Sequence, residues 1–195
     1  MEENCFRYTG LNIKTLNDGI TIDQLHYIEK LECVPVASKR SLQSMEPLTA
    51  VEKRQYRALV GSINWAAQQT RPDLVFEIME MSIKFKDPLV SDLLRANKCI
   101  RRLKMEDVSI KFGQISNNVC DLHIMTWSDA AFANLVDRVS SGAGHLIFVV
   151  DKNRRCCPLA WTSNKVKRVV KSTLAAEALA LEEAISHAIY LRALM

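Results

Sequence analysis

Residues 122–177, LHIMTWSDAAFANLVDRVSSGAGHLIFVVDKNRRCCPLAWTSNKVKRVVKSTLAAE, form the stretch that decides the fold of this 195-residue chain. It opens with an apolar run from residue 122 to 127 that ends at Ser128-Asp129. A second apolar run, GAGHLIFVVD, covers residues 142–151, and a third, CPLAWTS, covers residues 157–163. Short apolar runs separated by turn residues predict three buried strands that follow one another as a meander.

The residues after the third run predict one long helix. From Ser172 to about Met195 the chain is rich in Ala, Leu and Glu and contains no glycine or proline. Upstream, residues 108–112 alternate apolar and polar side chains, which predicts a further strand. Strands in a meander followed by one helix are typical of an α+β unit, and we place the start of this unit near residue 105.

The section before that boundary is predicted to be helical. Thr49-Ala50-Val51-Glu52 matches a capping box, and apolar residues then recur with a helical period as far as Ala67. Prolines separate this helix from a second helix at about 72–85 and a third at about 89–104.

The N-terminal residues predict a hairpin and a short helix. Residues 5–15 are typical of a strand, and Asn17-Asp18-Gly19 predicts a tight turn into a second strand. Asp23 is then a candidate cap for a short helix that ends near Lys30. Residues 33–48 contain two prolines and several serines, which predicts a loop.

Composition excludes several classes of protein. The chain is 48% hydrophobic and 25% charged, which argues against disordered, collagen-like and coiled-coil chains. No apolar run reaches the roughly 18–20 residues that a membrane helix needs, so we expect no membrane partner. The acidic start, MEEN, differs from a secretory leader, and the six cysteines form no C-x-x-C pair. We therefore expect an intracellular protein, in the cytoplasm or the nucleus, with reduced thiols.

The net charge of +4 is small, but its distribution is uneven. Residues 152–171, which we call the basic segment, contain seven basic residues and no acidic one. These are Lys152, Arg154, Arg155, Lys165, Lys167, Arg168 and Lys171. A segment of this kind is a candidate contact for the phosphates of a nucleic acid, and we predict that the last six of these residues bind it. A solvated surface without a ligand would carry the same charges.

Two acidic residues stand out among the few after residue 108. Asp129 lies at the end of a predicted strand, and Glu177 lies in the first turns of the long helix between small apolar residues. Two carboxylates that converge from a strand and a helix are suited to hold Mg²⁺, which prefers oxygen ligands. Both residues also have ordinary interpretations, because Ala-Ala-Glu-Ala is plain helix-forming sequence and an aspartate after a strand often begins a turn.

Groups of residues along nearly the whole chain share their order with the motifs of one family. FRYTGLNI (6–13), YRALVGSI (56–63) and TRPD (70–73) occupy the first half, and WSDA (127–130), DRVSSG (137–142), WTSNK (161–165) and STLAAE (172–177) occupy the second. In this order they resemble motifs such as "YR-x-L-[VI]-G-S", "TRPD", "SDAD" and "STEAEY" of copia-type LTR retrotransposon Pol polyproteins.

The resemblance implies an order of domains. Residues 1–46 would be the end of a reverse-transcriptase palm and the start of its thumb, residues 47–104 a helical thumb and connection, and residues 105–195 a ribonuclease H-like domain truncated at the C-terminus. The expected fold class is therefore α+β, with a small helical unit followed by a truncated ribonuclease H-like mixed sheet and one long helix.

The resemblance also implies a chemistry. In that family Mg²⁺ ions, held by four carboxylates, cut the RNA strand of an RNA–DNA hybrid, and Asp129 and Glu177 would be two of the four. The other two would follow residue 195, and no Asp-Asp pair occurs in the chain to supply a polymerase site. With this partial catalytic and metal-binding set, we expect weak Mg²⁺ binding and no catalysis from the chain as it stands.

Whether the chain is an enzyme is thus left open by the sequence. One hypothesis is an inactive fragment of a reverse transcriptase/ribonuclease H polyprotein, with the rest of that polyprotein as a partner. The alternative is a non-catalytic module that binds an RNA–DNA hybrid or another nucleic acid through the basic segment. A third is a fragment of low stability, because a small sheet with an unpaired edge invites aggregation.

Overall fold

The computed structural model describes residues 5–135 and 139–195. It forms two compact units, one from Cys5–Ile13 and Ile22–Ile110 and the other, among its described residues, from Lys14–Thr21 and Lys111–Met195. The strands are β1 (Cys5–Tyr8), β2 (Leu11–Leu16), β3 (Gly19–Asp23), β4 (Ile110–Gly113), β5 (Leu122–Ala131), β6 (Gly142–Asp151) and β7 (Cys156–Lys165). The α-helices are α1 (Leu25–Glu29), α2 (Ser38–Ser41), α3 (Ala50–Gln69), α4 (Val75–Ile83), α5 (Val90–Met105) and α6 (Thr173–Ala193). Helices and antiparallel strands together confirm the predicted α+β class.

The core of the first unit lies among α3, α4 and α5, at the three positions where helices are predicted. Tyr56, Ile63, Leu93 and Ile100 are completely buried there. The Tyr56 hydroxyl donates a hydrogen bond to the Met81 carbonyl oxygen at 2.8 Å and so joins α3 to α4. The apolar period of the sequence is therefore the packing face of each helix.

The predicted capping box is present at the start of α3. Glu52 N donates to Thr49 Oγ1 at 3.3 Å, and Thr49 N donates to the Glu52 carboxylate at 2.8 Å. Arg40 donates to both oxygens of the same carboxylate, at 3.0 and 2.8 Å. The hydrogen bond from Arg40 is the main cause that lowers the pKa of Glu52 to about 2, and the hydrogen bonds with Thr49 add to it.

This arrangement predicts an acid-sensitive helix start. Because the folded pKa of Glu52 lies below its ordinary 4.5, its contribution to the free energy of unfolding is complete above pH 4.5 and is lost as the pH falls towards 2. We expect Glu52→Gln to cost roughly 1 kcal/mol at pH 7 and progressively less in acid, measured by urea unfolding. The exposed Glu32→Gln is the control, and an equal loss in both variants, or a loss from Glu52→Gln that does not shrink in acid, would contradict the prediction.

The predicted single strand at residues 5–15 is wrong. β1 ends at Tyr8 and β2 begins at Leu11, because Thr9 and Gly10 take positive φ angles of 46° and 86° and turn the chain. The turn at Asn17-Asp18 is where the sequence predicts it. The short helix α1 begins two residues after Asp23, whose carboxylate accepts a hydrogen bond from Leu25 N at 3.1 Å.

The strand predicted at residues 108–112 forms as β4 but does not join the meander. It pairs with β3 in a four-stranded sheet of order β1-β2-β3-β4. At the pairing position Gly19 has a φ of +149°, and a side chain there would collide with the Phe112 carbonyl oxygen. The close approach of the two strands therefore requires glycine at this point.

The second sheet has the order β5-β6-β7 and is antiparallel throughout. Its register places Trp127 opposite Leu146, and Leu146 opposite Trp161. Helix α6 packs against β5 and β6 through a small cluster formed by Ala130, Ala176 and Ala180. These short side chains let the helix lie close to the sheet. Among the described residues β5 has β6 as its single neighbour, so its other edge is open.

Candidate functional site

The residue Asp129 lies near the C-terminal end of β5, on the face of the sheet that turns away from α6. Along β5 the partly or fully buried residues alternate with exposed ones, and Asp129 belongs to the exposed set. Its neighbour Ala130 points the other way and is buried against α6. Asp129 pairs across the sheet with Gly144, which has no side chain to cover it.

The second predicted ligand, Glu177, lies near the start of α6. Ser172 caps this helix by accepting a hydrogen bond from Ala175 N at 3.2 Å. Glu177 is half-buried and directly follows Ala176, which belongs to the same cluster as Ala130. The fold thus brings the backbones that carry the two carboxylates together, while Asp129 projects from the opposite face of the sheet.

The carboxylates of the described residues do not form a metal centre. Within residues 5–135 and 139–195, no three His, Cys, Asp or Glu side chains come close enough together to hold a metal ion. A two-metal site needs several carboxylates, both to fill the coordination spheres and to balance the charge of the ions. The described residues therefore do not fit the Mg²⁺ pair that the family resemblance implies. Asp137, the first residue of the DRVSSG motif, lies outside the described residues.

The basic segment begins at the turn between β6 and β7. Arg154 has a φ of +63° at this turn and is exposed. Arg155 forms an ion pair with the buried Asp151 at 2.7 Å. Desolvation raises the pKa of Asp151, but hydrogen bonds from the backbone and side chain of Arg155 and from Asn153 N lower it overall. Lys152 pairs with Asp121 at 2.9 Å. Arg154 is thus better placed to meet a ligand than Arg155, whose charge is already balanced.

The other basic residues lie at the end of β7 and in its connection to α6. Lys165, Lys167, Arg168 and Lys171 are all exposed. Lys167 and Arg168 line a cavity of about 440 Å³ together with Glu182 and Glu183 of α6. The structure therefore places Lys167 and Arg168 beside two acidic residues of the helix that carries Glu177.

A further set of surface residues was not predicted from the sequence. Trp127 and Leu146 are 51% and 45% exposed, and with Phe148 and Trp161 they lie on the sheet face that turns away from α6. We call this set the open aromatic face. The alternation of Met125, Trp127 and Asp129 with less exposed residues could have indicated it, because alternate residues of a strand share one face.

Comparison with known proteins gives this chain a family context. No family model matches it. It is 25% identical over 189 residues to the Retrovirus-related Pol polyprotein from transposon RE1 of Arabidopsis thaliana, and 25% identical over 186 residues to the polyprotein from transposon RE2. Both alignments cover 90% of this chain and 12% of the relative. A Ty5-1 transposon protein of Saccharomyces cerevisiae is 23% identical over 177 residues, which are 84% of this chain and 54% of that protein.

These relatives confirm the resemblance to retrotransposon Pol polyproteins that the motifs predict. The chain is similar to one segment of such a polyprotein and spans about an eighth of the length of the two plant relatives. In the part of the chain that the structure describes, no helix combines the length and apolar character needed to cross a membrane.

Proposed function

We propose that this chain, a relative of retrotransposon Pol polyproteins, binds nucleic acid through the phosphates and does not cut it by itself. The observation that carries the proposal is the exposed group Lys165, Lys167, Arg168 and Lys171 at the end of β7 and in its connection to α6. Ion pairs of lysine and arginine with phosphates need no catalytic site, and they release counterions when they form. An RNA–DNA hybrid, the substrate implied by the copia-type resemblance, is the first ligand to test.

The expectation that the chain does not cut nucleic acid rests on its carboxylates. Asp129 and Glu177 remain the two proposed ligands of a ribonuclease H-type Mg²⁺ site, but they lack further acidic partners among the described residues. In a longer polyprotein, carboxylates from other segments would have to complete the set. We therefore assign the ancestral polymerase and ribonuclease H activities to the polyprotein and the binding of nucleic acid to this chain.

Salt dependence of binding is the first prediction. We expect the affinity for a labelled RNA–DNA hybrid to fall steeply between about 50 and 200 mM salt. Replacing Lys167, Arg168 and Lys171 together by glutamine should lower the slope of log K against log salt by roughly 0.9 for each phosphate that is no longer neutralised. Lys39→Gln, at an exposed position in α2, is the control and should leave the slope unchanged. An unchanged slope in the triple variant would exclude these residues as the phosphate ligands.

Cleavage is measured in the same samples with Mg²⁺ or Mn²⁺. We expect the labelled RNA strand to stay intact. Cutting that disappears in Asp129→Asn would show that another acidic residue completes the site, and the proposal of a non-catalytic chain would then be wrong. Cutting that persists in Asp129→Asn would point to a contaminating nuclease, and the measurement would be repeated on protein purified again.

A further inference from the structure

The outer edge of β5 is long and unprotected. Among the described residues, β5 has β6 on one side and no strand on the other, and its register with β6 is continuous from Leu122 to Ala131. Proteins usually protect such an edge with a proline, a lysine or a bulge, and the sequence of β5 contains neither proline nor lysine. The backbone groups along this edge are therefore able to accept a further strand.

Helix α6 carries a row of exposed apolar side chains. Leu174, Leu181, Ile185 and Ile189 follow one another at spacings of seven and four residues, so they share one side of the helix. Their exposed fractions lie between 47% and 79%. We call these four residues the α6 stripe. Large apolar side chains exposed in one row are typical of a surface that binds another protein.

The α6 stripe lies on the flank of the helix that borders the open edge of β5. Glu183 precedes Ile185 by two residues, so it lies on the opposite side of the helix, where it lines a cavity with Arg168 after β7. Arg192 follows Ile185 by two helical turns and so continues the line of the stripe. It lines a cavity with Leu122 at the start of β5. The open edge and the α6 stripe therefore form one continuous surface.

A second copy of the chain fits this surface through a two-fold axis. Two copies of β5 that pair antiparallel are related by an axis perpendicular to the sheet, which passes beside a residue that lies opposite its own copy. Both α6 helices then lie on the same face of one continuous sheet. Because α6 packs more extensively against β5 than against β6, the two helices lie at roughly the 8–10 Å at which helices pack, and their stripes meet.

The side chains of β5 favour one register. With Thr126 opposite its own copy, Asp129 lies opposite His123, and Trp127 lies opposite Met125. These four side chains are exposed on the face away from α6. Each His123 imidazole then donates a hydrogen bond to a carboxylate, and each tryptophan ring contacts a sulfur atom. A register centred on Trp127 instead leaves Asp129 opposite Met125, without a donor. The edge is therefore complementary to itself, as a two-fold interface requires.

We propose that two copies of this chain associate through the open edge of β5 and the α6 stripe, with Thr126 at the two-fold axis. A nucleic acid is a poor occupant of this surface, because the stripe supplies no cation for the phosphates. Lys167 and Arg168 lie on the other flank of α6, so the association leaves them accessible. The inference is separate from the proposed function, and it adds a second copy of the chain as a partner.

The test measures the mass of the chain by gel filtration with light scattering, without nucleic acid. We expect the mass to rise from one chain towards two between about 1 and 100 µM, so that unfolding measured near the lower concentration reports on the single chain. Leu181→Lys combined with Ile185→Lys places like charges on both stripes and should weaken association at least about tenfold. Glu182→Lys combined with Ser186→Lys has the same spacing at exposed positions of the other flank, and it should leave association unchanged.

An exchange of charges tests the register without altering α6. His123→Asp and Asp129→His should each weaken association, and the double variant, in which every carboxylate again faces an imidazole, should restore it. Circular dichroism shows whether each variant is folded. A mass of one chain at every concentration would overturn the proposal, and so would aggregates larger than two chains. A dimer that persists in the stripe variant, or that the double exchange does not restore, would assign the association to another surface and would also overturn it.

Discussion

Arg71→Ala is expected to destabilise the helical unit by about 3 kcal/mol. The Arg71 side chain is 1% exposed and, among the described residues, is one of the largest side chains that are fully buried. Its Nε and one terminal nitrogen donate to the two oxygens of Asp73, both at 2.9 Å. The same terminal nitrogen donates to Glu106 at 2.6 Å. Truncation therefore removes a buried volume and three charged hydrogen bonds at once.

A matched control is available in Arg102. It approaches the same two carboxylates, at 2.8 Å to Asp73 and 3.6 Å to Glu106, but its side chain is 40% exposed. Because exposed ion pairs contribute little, we expect Arg102→Ala to cost less than about 1 kcal/mol. Urea unfolding followed by far-UV circular dichroism measures both. Equal losses in the two variants would show that burial of Arg71 is not what stabilises this unit.

Volume and charge can be separated with a third variant. Arg71→Met keeps much of the buried volume and removes the guanidinium. If packing dominates, Arg71→Met should recover most of the loss, whereas if the hydrogen bonds dominate it should resemble Arg71→Ala. The hydrogen bond from Arg71 is also the main cause of the lowered pKa of Asp73. We therefore expect Arg71→Met to raise the pKa of Asp73, which NMR titration of its carboxylate would detect.

The sequence predicts the break at Thr70-Arg71-Pro72-Asp73 but not the role of Arg71 in it. Proline and an acidic residue after it indicate a helix start, and a short 3₁₀ turn at Pro72–Leu74 leads into α4 as expected. The buried position of Arg71 depends on Glu106, 35 residues away. A local pattern contains no information about a partner at that distance, and an arginine is ordinarily expected at the surface.

The sheets show the same division between local and long-range information. Alternation and apolar runs predict β4, β5, β6 and β7 as strands, since these patterns are properties of single segments. They do not tell which strand pairs with which, and β4 joins β3 instead of the meander. The pairing depends on a close approach at Gly19, which is visible only when both strands are placed.

For the candidate site, the sequence proposes residues but does not predict their geometry. The motifs single out Asp129 and Glu177, and the fold does bring Ala130 and Ala176, their neighbours, into one cluster. The direction of Asp129 follows from the alternation along β5, which places it with Trp127 on the face away from α6. That Trp127, Leu146 and Trp161 share one face needs the register of β5, β6 and β7, and so it appears only in the structure.

Acid is expected to loosen α6 from its sheet through a pair of histidines. His145 of β6 and His187 of α6 approach within 2.9 Å through Nε2 and Nδ1, and the rings meet nearly at right angles. His145 is 5% exposed, and Thr162 Oγ1 of β7 lies 3.1 Å from its Nδ1. A hydrogen bond between two imidazoles needs one nitrogen without a proton, so a second proton on the pair breaks the hydrogen bond and adds repulsion.

The sign of the pH dependence follows from the pKa of His145. Burial lowers this pKa, the nearby His187 lowers it further, and Glu183 on α6 partly offsets them. Because the folded pKa lies below the ordinary 6.5, the unfolded chain binds more protons as the pH falls. The stabilisation by the pair is therefore complete above pH 6.5 and is lost as the pH falls through the folded pKa, with a slope of up to about 1.4 kcal/mol per pH unit for one proton.

Unfolding of the second unit can be followed selectively, because Trp127 and Trp161 lie in it and Trp65 lies in the other. In a Trp65→Phe background, urea unfolding monitored by tryptophan fluorescence between pH 7.5 and 5 should show the loss of stability. His145→Gln should flatten this dependence, and His123→Gln, an exposed histidine on β5, should leave it unchanged. If the stability of His145→Gln and of His123→Gln changes with pH by the same amount, groups other than His145 cause the acid sensitivity. If the stability of His145→Gln does not change with pH, acid acts on the packing of α6 against β6. Binding by the neighbouring basic segment should then change with the docking of that helix.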